Sequence, residues 1–141
     1  SVGQLVREEY QDAAYLLGLT TFAGEVTAAS DWDAPAERKR LRRALHGSYE
    51  WLLHETGVDR FFLPLRDPNE AVVWLRDERL ERMIGVVYRP GTERLSHYFE
   101  CELPAQFDGV IHVDLSHALE PLEVTPRWET GEPPETYPFA F

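Results

Sequence analysis

Cysteine is almost missing from this chain: Cys101 is the only one in 141 residues. A single thiol excludes an intrachain disulfide framework and suits a reducing, cytoplasmic setting. Lysine is nearly missing too, with Lys39 alone against thirteen arginines. No apolar run approaches the roughly 18 residues of a spanning helix, so no membrane segment is expected. The first residues, Ser1-Val-Gly-Gln-Leu-Val-Arg-Glu-Glu, lack the apolar stretch of a secretory signal. Phosphate loops of the Gly-x-x-x-x-Gly-Lys-Ser/Thr type, Gly-x-Gly-x-x-Gly turns and Gly-x-Ser-x-Gly elbows do not occur. No cofactor is therefore expected, and the sequence leaves the metal question open.

Positive charge is scarcest where negative charge is densest. From residue 95 to the end stand nine acids (Glu100, Glu102, Asp108, Asp114, Glu120, Glu123, Glu129, Glu132 and Glu135) and one base, Arg127. That third carries −8 of the net −11, while the first 94 residues hold 16 acids against 13 bases. Such a split repels nucleic acid and membrane surfaces and attracts cationic partners. Arg38, Lys39, Arg40, Arg42 and Arg43 do form a basic cluster, but the overall acidity argues against a nucleic-acid domain.

What is present fits one globular domain. The length suits a single core, and 43% hydrophobic with 28% charged residues is ordinary for a folded chain. Residues 4–17 read as an amphipathic helix, since Leu5, Val6, Tyr10, Ala13, Ala14 and Leu17 recur at helical spacing. The stretch 19–29 is ambiguous. A long helix is expected from 34 to 56, entered at Asp33 and Pro35, with Leu41, Ala44, Leu45, Ser48, Tyr49 and Leu52 on one face and Gly57 closing it. Beyond residue 60 the period becomes 2. Short runs at 61–65, 71–75, 83–89, 95–103 and 110–115, separated by turn-rich breaks, predict a meander of hairpins; 69–84 reads alternatively as one helix. The predicted fold is α+β, with two or three N-terminal helices on one face of a roughly five-stranded antiparallel sheet. Residues 1–128 form the domain. Residues 129–141, with three prolines and alternating Tyr137, Phe139 and Phe141, are expected as an extended tail docked on the domain or on a neighbouring subunit.

Besides the basic cluster, two constellations could carry chemistry. If the strands at 95–103 and 110–115 are neighbours, Glu100, Glu102, His112 and Asp114 share a face, where a histidine beside carboxylates serves as general base or metal ligand. The bland account is the solvated face of a half-covered sheet. His46, Glu50 and His54 follow at i, i+4 and i+8 on the long helix, without the order of a zinc protease. Cys101 is expected as inert packing.

In the absence of a catalytic fingerprint, the sequence points first to an acidic, non-enzymatic binding module of the inhibitor, immunity, antitoxin or adaptor kind. Glu100, Glu102, Asp114, Glu120 and Glu123 would present the field to a basic protein surface, with Trp128 and Tyr137 as anchors. The alternatives are a small metal-dependent or acid–base hydrolase using Glu100, Glu102, His112 and Asp114, and a structural subunit of a homo-oligomer.

Overall fold

The structure, a computed structural model, describes residues 1–131. Helix α1 (Val2–Tyr10) starts at Ser1, whose Oγ accepts from the Gln4 amide at 3.3 Å, and is followed by a single 3-10 turn. The chain then runs β1 (Leu17–Thr20), β2 (Ala23–Ala28), β3 (Glu37–Leu41), α2 (Tyr49–His54), β4 (Arg60–Pro64), α3 (Glu70–Trp74) and β5 (Arg79–Arg82). It continues through α4 (Glu93–Ser96), β6 (Tyr98–Cys101), α5 (Leu103–Gln106), β7 (Gly109–Val113), β8 (Leu115–Ser116) and α6 (Pro126–Thr130). No helix among the described residues is long and apolar enough to cross a membrane.

The mixed α+β class stands, but the five-stranded meander does not. The strands form three small sheets, ordered β1-β7-β4, β3-β2-β8 and β5-β6. Two pairings, β1 with β7 and β2 with β8, are parallel and join segments far apart in sequence. Hairpin logic fails because the short β-prone runs are interrupted by short helices that redirect the chain between sheets. The run 71–75 is helix α3, and 95–103 splits into α4, β6 and the start of α5.

The N-terminal helical layer is corrected as well. Helix α1 stops at Tyr10, where Gln11 takes φ 44°, and Leu17 opens a strand. The helix expected over 34–56 is a strand followed by a separate short helix. Residues 37–41 pair with β2 along a five-residue antiparallel ladder, Gly24 opposite Leu41 through Ala28 opposite Glu37. That long-range ladder overrides the helix preference of Arg, Lys and Leu, which is worth only tenths of a kcal/mol per residue. Gly47, at φ 83°, then breaks the chain, and Ser48 caps α2 by accepting from the Trp51 amide at 3.3 Å.

Two apolar clusters fill the interior. The larger gathers Tyr49, Leu53, Leu65, Val72, Leu75, Cys101, Leu103 and Val110; the smaller holds Ala28, Leu41 and Tyr88. The Tyr49 hydroxyl lies 2.7–3.2 Å from the carbonyls of Leu75, Asp77 and Cys101 and accepts from the Leu103 amide at 3.0 Å, tying α2 to three other segments. Gly24 is required where β8 crosses β2: at φ 120°, a Cβ there would lie 2.2 Å from the Ser116 carbonyl oxygen.

The tail expectation falls almost wholly outside the described residues, Tyr137 included. Its first two positions, Glu129 and Thr130, end helix α6, which Thr125 caps and which begins at Pro126.

Candidate functional site

The polar cluster that stands out lies where α2 ends against the β7–β8 junction. His54, last in α2, places Nδ1 2.7 Å from Asp114 Oδ1. Its ring stacks on Phe22 with centroids 3.7 Å apart and planes 3° from parallel. His112, on the inward face of β7 and fully buried, places Nε2 3.3 Å from the same Asp114 oxygen. The other ring nitrogen of His112 is 3.0 Å from Thr20 Oγ1, on β1 directly opposite in register.

A carboxylate oxygen accepts, so the two ring nitrogens that face Asp114 Oδ1 are the donors. Neutral His112 then offers Nδ1 as acceptor to the Thr20 hydroxyl. Burial lowers the His112 pKa, against an upward pull from Asp114, and this keeps the ring neutral. His54 turns Nδ1 to Asp114 and Nε2 away from it; no group among the described residues bonds Nε2. Its side chain is 36% exposed, so water and solutes reach it.

The backbone holds the carboxylate firmly. The Asp114 amide donates to the Asp59 carbonyl at 2.8 Å, and its carbonyl accepts from the amides of Phe22 and Ala23, each at 3.1 Å. One loop therefore supplies both the ring under His54 and the clamp on Asp114. The loop is secured in turn by Arg82, whose guanidinium donates to the carbonyls of Thr21 at 2.6 Å and Phe22 at 3.1 Å. Asp114 also borders an open cleft of about 610 Å³, lined besides by Val58, Asp59, Arg60, Leu115 and His117.

A second polar group is interior. Arg82 pairs with Glu93 at 3.0 Å, and the Tyr88 hydroxyl donates to the same Glu93 oxygen at 3.0 Å. Glu50 accepts from the Arg82 amide at 2.8 Å through Oε1, while its Oε2 is buried with no partner among the described residues. Burial raises the Glu50 and Glu81 carboxyls. Cys101 donates to Glu81 at 3.1 Å, and burial first, then that neighbour, pushes its thiol up; it stays protonated and unreactive.

Against this geometry, the sequence-derived cluster divides. His112 and Asp114 do come together. Glu100 and Glu102 do not join them, because β6 pairs with β5 rather than with β7; Glu100 is exposed on that other sheet and Glu102 is exposed just past it, before α5. The His46, Glu50, His54 series is also dismantled. His46 precedes the break at Gly47 and packs on Trp51 with ring centroids 4.2 Å apart, Glu50 turns inward to Arg82, and His54 turns to Asp114. Among the described residues no three His, Cys, Asp or Glu groups are placed to hold a metal ion. The basic cluster begins on a strand instead of fanning around a helix. Lys39 is 3% exposed, with Nζ 3.1 Å from Glu37 and 2.8 Å from Ser30 Oγ.

Of the expected binding residues, Glu120 and Glu123 are exposed in the segment after β8, Asp114 faces His54, and Trp128 donates through Nε1 to Thr27 Oγ1 at 3.0 Å. Missed from sequence were the partnership of His54 with Asp114 and the supporting roles of Thr20, Phe22 and Arg82. The alternation of His112 and Asp114 was the one available signal.

Known structures share this fold. A crystal structure of a Bacillus cereus protein superposes with a TM-score of 0.67 at 19% identity, over 82% of this chain and 28% of that one. A crystal structure of a protein described as a succinoglycan biosynthesis protein does so at 0.67 and 22% identity, over 82% and 27%. The chain thus spans little more than a quarter of the solved proteins it matches. Residues 1–116 match the family described as erythromycin esterase, and the chain belongs to that family.

Proposed function

We propose that this chain works within an ester hydrolase, with His54, oriented by Asp114, as its acid–base group. The observation that carries the reading is the 2.7 Å contact between His54 Nδ1 and Asp114 Oδ1 in a ring fixed flat against Phe22. A carboxylate behind Nδ1 leaves Nε2 unprotonated and stabilises the imidazolium that forms when a proton arrives. In the reaction, water attacks the ester carbonyl carbon, its proton passes to Nε2, and the C–O bond to the leaving alkoxide breaks. The proton then returns to the alkoxide, giving an acid and an alcohol. His112 contributes by holding the carboxylate from behind while staying neutral. Membership of the erythromycin esterase family supports an ester or lactone as substrate, and a macrolide lactone is the first to assay.

The test compares His54→Gln and Asp114→Asn with the parent on an aryl ester and a macrolide lactone. A general base contributes roughly 10²–10⁴-fold, so His54→Gln is expected to lower kcat by about that factor while urea unfolding shows a folded protein. A folded variant with kcat within about threefold of the parent refutes the assignment.

A second reading, recognition of a cationic protein surface, is supported by the exposure of Glu100, Glu102, Glu120 and Glu123. Reversing those four charges would then abolish a salt-sensitive association; binding that survives both reversal and high salt rejects it.

A further inference from the structure

Two carboxylic side chains that the proposed reaction does not use are buried together. Glu50, second in α2, is 1% exposed, and Glu81, in β5, is 4% exposed. The Arg82 amide donates to Glu50 Oε1 at 2.8 Å, which sets Glu50 against the strand residue next to Glu81. The two are unequally supplied with donors. Glu50 also faces its own amide and the Ser48 hydroxyl, although its Oε2 bonds no group among the described residues. Glu81 has one donor among the described residues, the Cys101 thiol at 3.1 Å, and a thiol is a weak one.

Cations do not make up the difference. Around the pair stand Tyr49 from α2, Arg79 and Arg82 from β5, Tyr98 and Cys101 from β6, and Glu93 from α4. The Arg82 guanidinium turns away to Glu93 and to backbone carbonyls, and the nearest carboxylate to Arg79 is Asp77, 4.0 Å from its Nη2. Two buried carboxylates with no bonded cation lose hydration and repel each other, so the cheaper state has one charge and one proton. Burial raises both carboxyls, and the charge on Glu50 raises Glu81 further. The better-supplied Glu50 keeps the charge.

We propose that this pair is a proton lock: in mildly acidic solution Glu50 carries the single negative charge and Glu81 stays a carboxylic acid, and ionisation of Glu81 as the pH rises loosens α2 from β5. Because α2 ends in His54, the lock also sets how firmly that histidine is presented. The proposal stands whether or not His54 is catalytic.

Infrared spectroscopy of the full chain in heavy water tests it. At about pD 6 an ordinary glutamate is ionised, so the C=O stretch of a protonated carboxyl reports raised groups alone. The parent is expected to show that band and Glu81→Gln to lack it. Glu50→Gln is expected to keep it but lose it at a lower pD, since the neighbouring charge is gone. No band in the parent, a band untouched by Glu81→Gln, or an unshifted titration in Glu50→Gln overturns the proposal. Because Glu81→Gln can fail to fold, hydrogen exchange in the parent gives a second measure. Protection of the α2 amides, corrected for intrinsic exchange, is expected to fall at least about tenfold between about pH 6 and 8, the equivalent of one pKa unit, while α1 stays unchanged. Equal protection of α2 at the two pH values overturns the proposal.

Discussion

Replacing Arg82 with leucine removes a guanidinium that is 1% exposed and bonded on every side. It donates to Glu93 at 3.0 Å and to the carbonyls of Arg42 at 2.7 Å, Thr21 at 2.6 Å and Phe22 at 3.1 Å. Leucine leaves the Glu93 carboxylate buried, where the Tyr88 hydroxyl still donates to it. Removing one partner of a buried ion pair costs about 3–5 kcal/mol. Each orphaned carbonyl adds up to about 1–3 kcal/mol, although these terms overlap once water enters. Phe22 also keeps its bond from the Ala44 amide at 2.9 Å. The apolar burial of leucine returns about 2 kcal/mol. A net loss of about 3–5 kcal/mol is expected, a large part of the roughly 5–15 kcal/mol available to a domain. Urea unfolding followed by tryptophan fluorescence measures it, with Glu93→Gln added to Arg82→Leu as the check. Neutralising the stranded carboxylate should restore about 1–2 kcal/mol. A loss under about 1 kcal/mol, or a double variant less stable than Arg82→Leu alone, refutes the reasoning.

Tyr49→Phe keeps the buried ring but deprives the Leu103 amide of its acceptor, so a loss of about 1–3 kcal/mol in urea unfolding is expected with an unchanged m-value. Gly24→Ala forces a Cβ against the Ser116 carbonyl at a positive φ, and should cost at least about 2 kcal/mol and lower Tm; Gly57→Ala, also at positive φ but with open space around it, should cost less. Burial pushes the Asp108 carboxyl up, but the Leu16 amide, Arg7 and Arg66 outweigh it and hold the pKa below its ordinary value. A depressed acid gives stability that is present above its unfolded pKa of about 3.9 and is lost as the pH falls through the folded pKa, so Asp108→Asn should flatten acid unfolding. Glu81 has the opposite sign, because its raised pKa makes stability fall as the pH climbs above about 4.3, and Glu81→Gln should flatten that limb.

Local signals were legible where they depended on neighbours in sequence. A first helix, read over 4–17 and formed at Val2–Tyr10, and the runs read at 61–65 and 110–115, which overlap the strands Arg60–Pro64 and Gly109–Val113, follow from period, as the burial of Cys101 does from its apolar surroundings. Residues 37–41 show the limit. Their composition favours a helix, and only the five-residue ladder offered by β2 makes them a strand. The candidate site divides along the same line. His112 and Asp114 are two residues apart, so alternation brought them together; His54 is 60 residues from Asp114, and no spacing rule connects them.

The sequence by itself determined the mixed α+β class, the acidity of the last third, and the apolar positions able to make a core. Those follow from composition and from periods of 2 and 3.6, which each segment carries with it. Tertiary structure alone decided which strands meet, and so which polar groups share a site. Parallel pairing of β1 with β7 sets Thr20 against His112, and the turn at Phe22 places an aromatic ring beneath His54. Such contacts arise from closing loops of about thirty to ninety residues, whose small entropic differences are settled by the whole core at once.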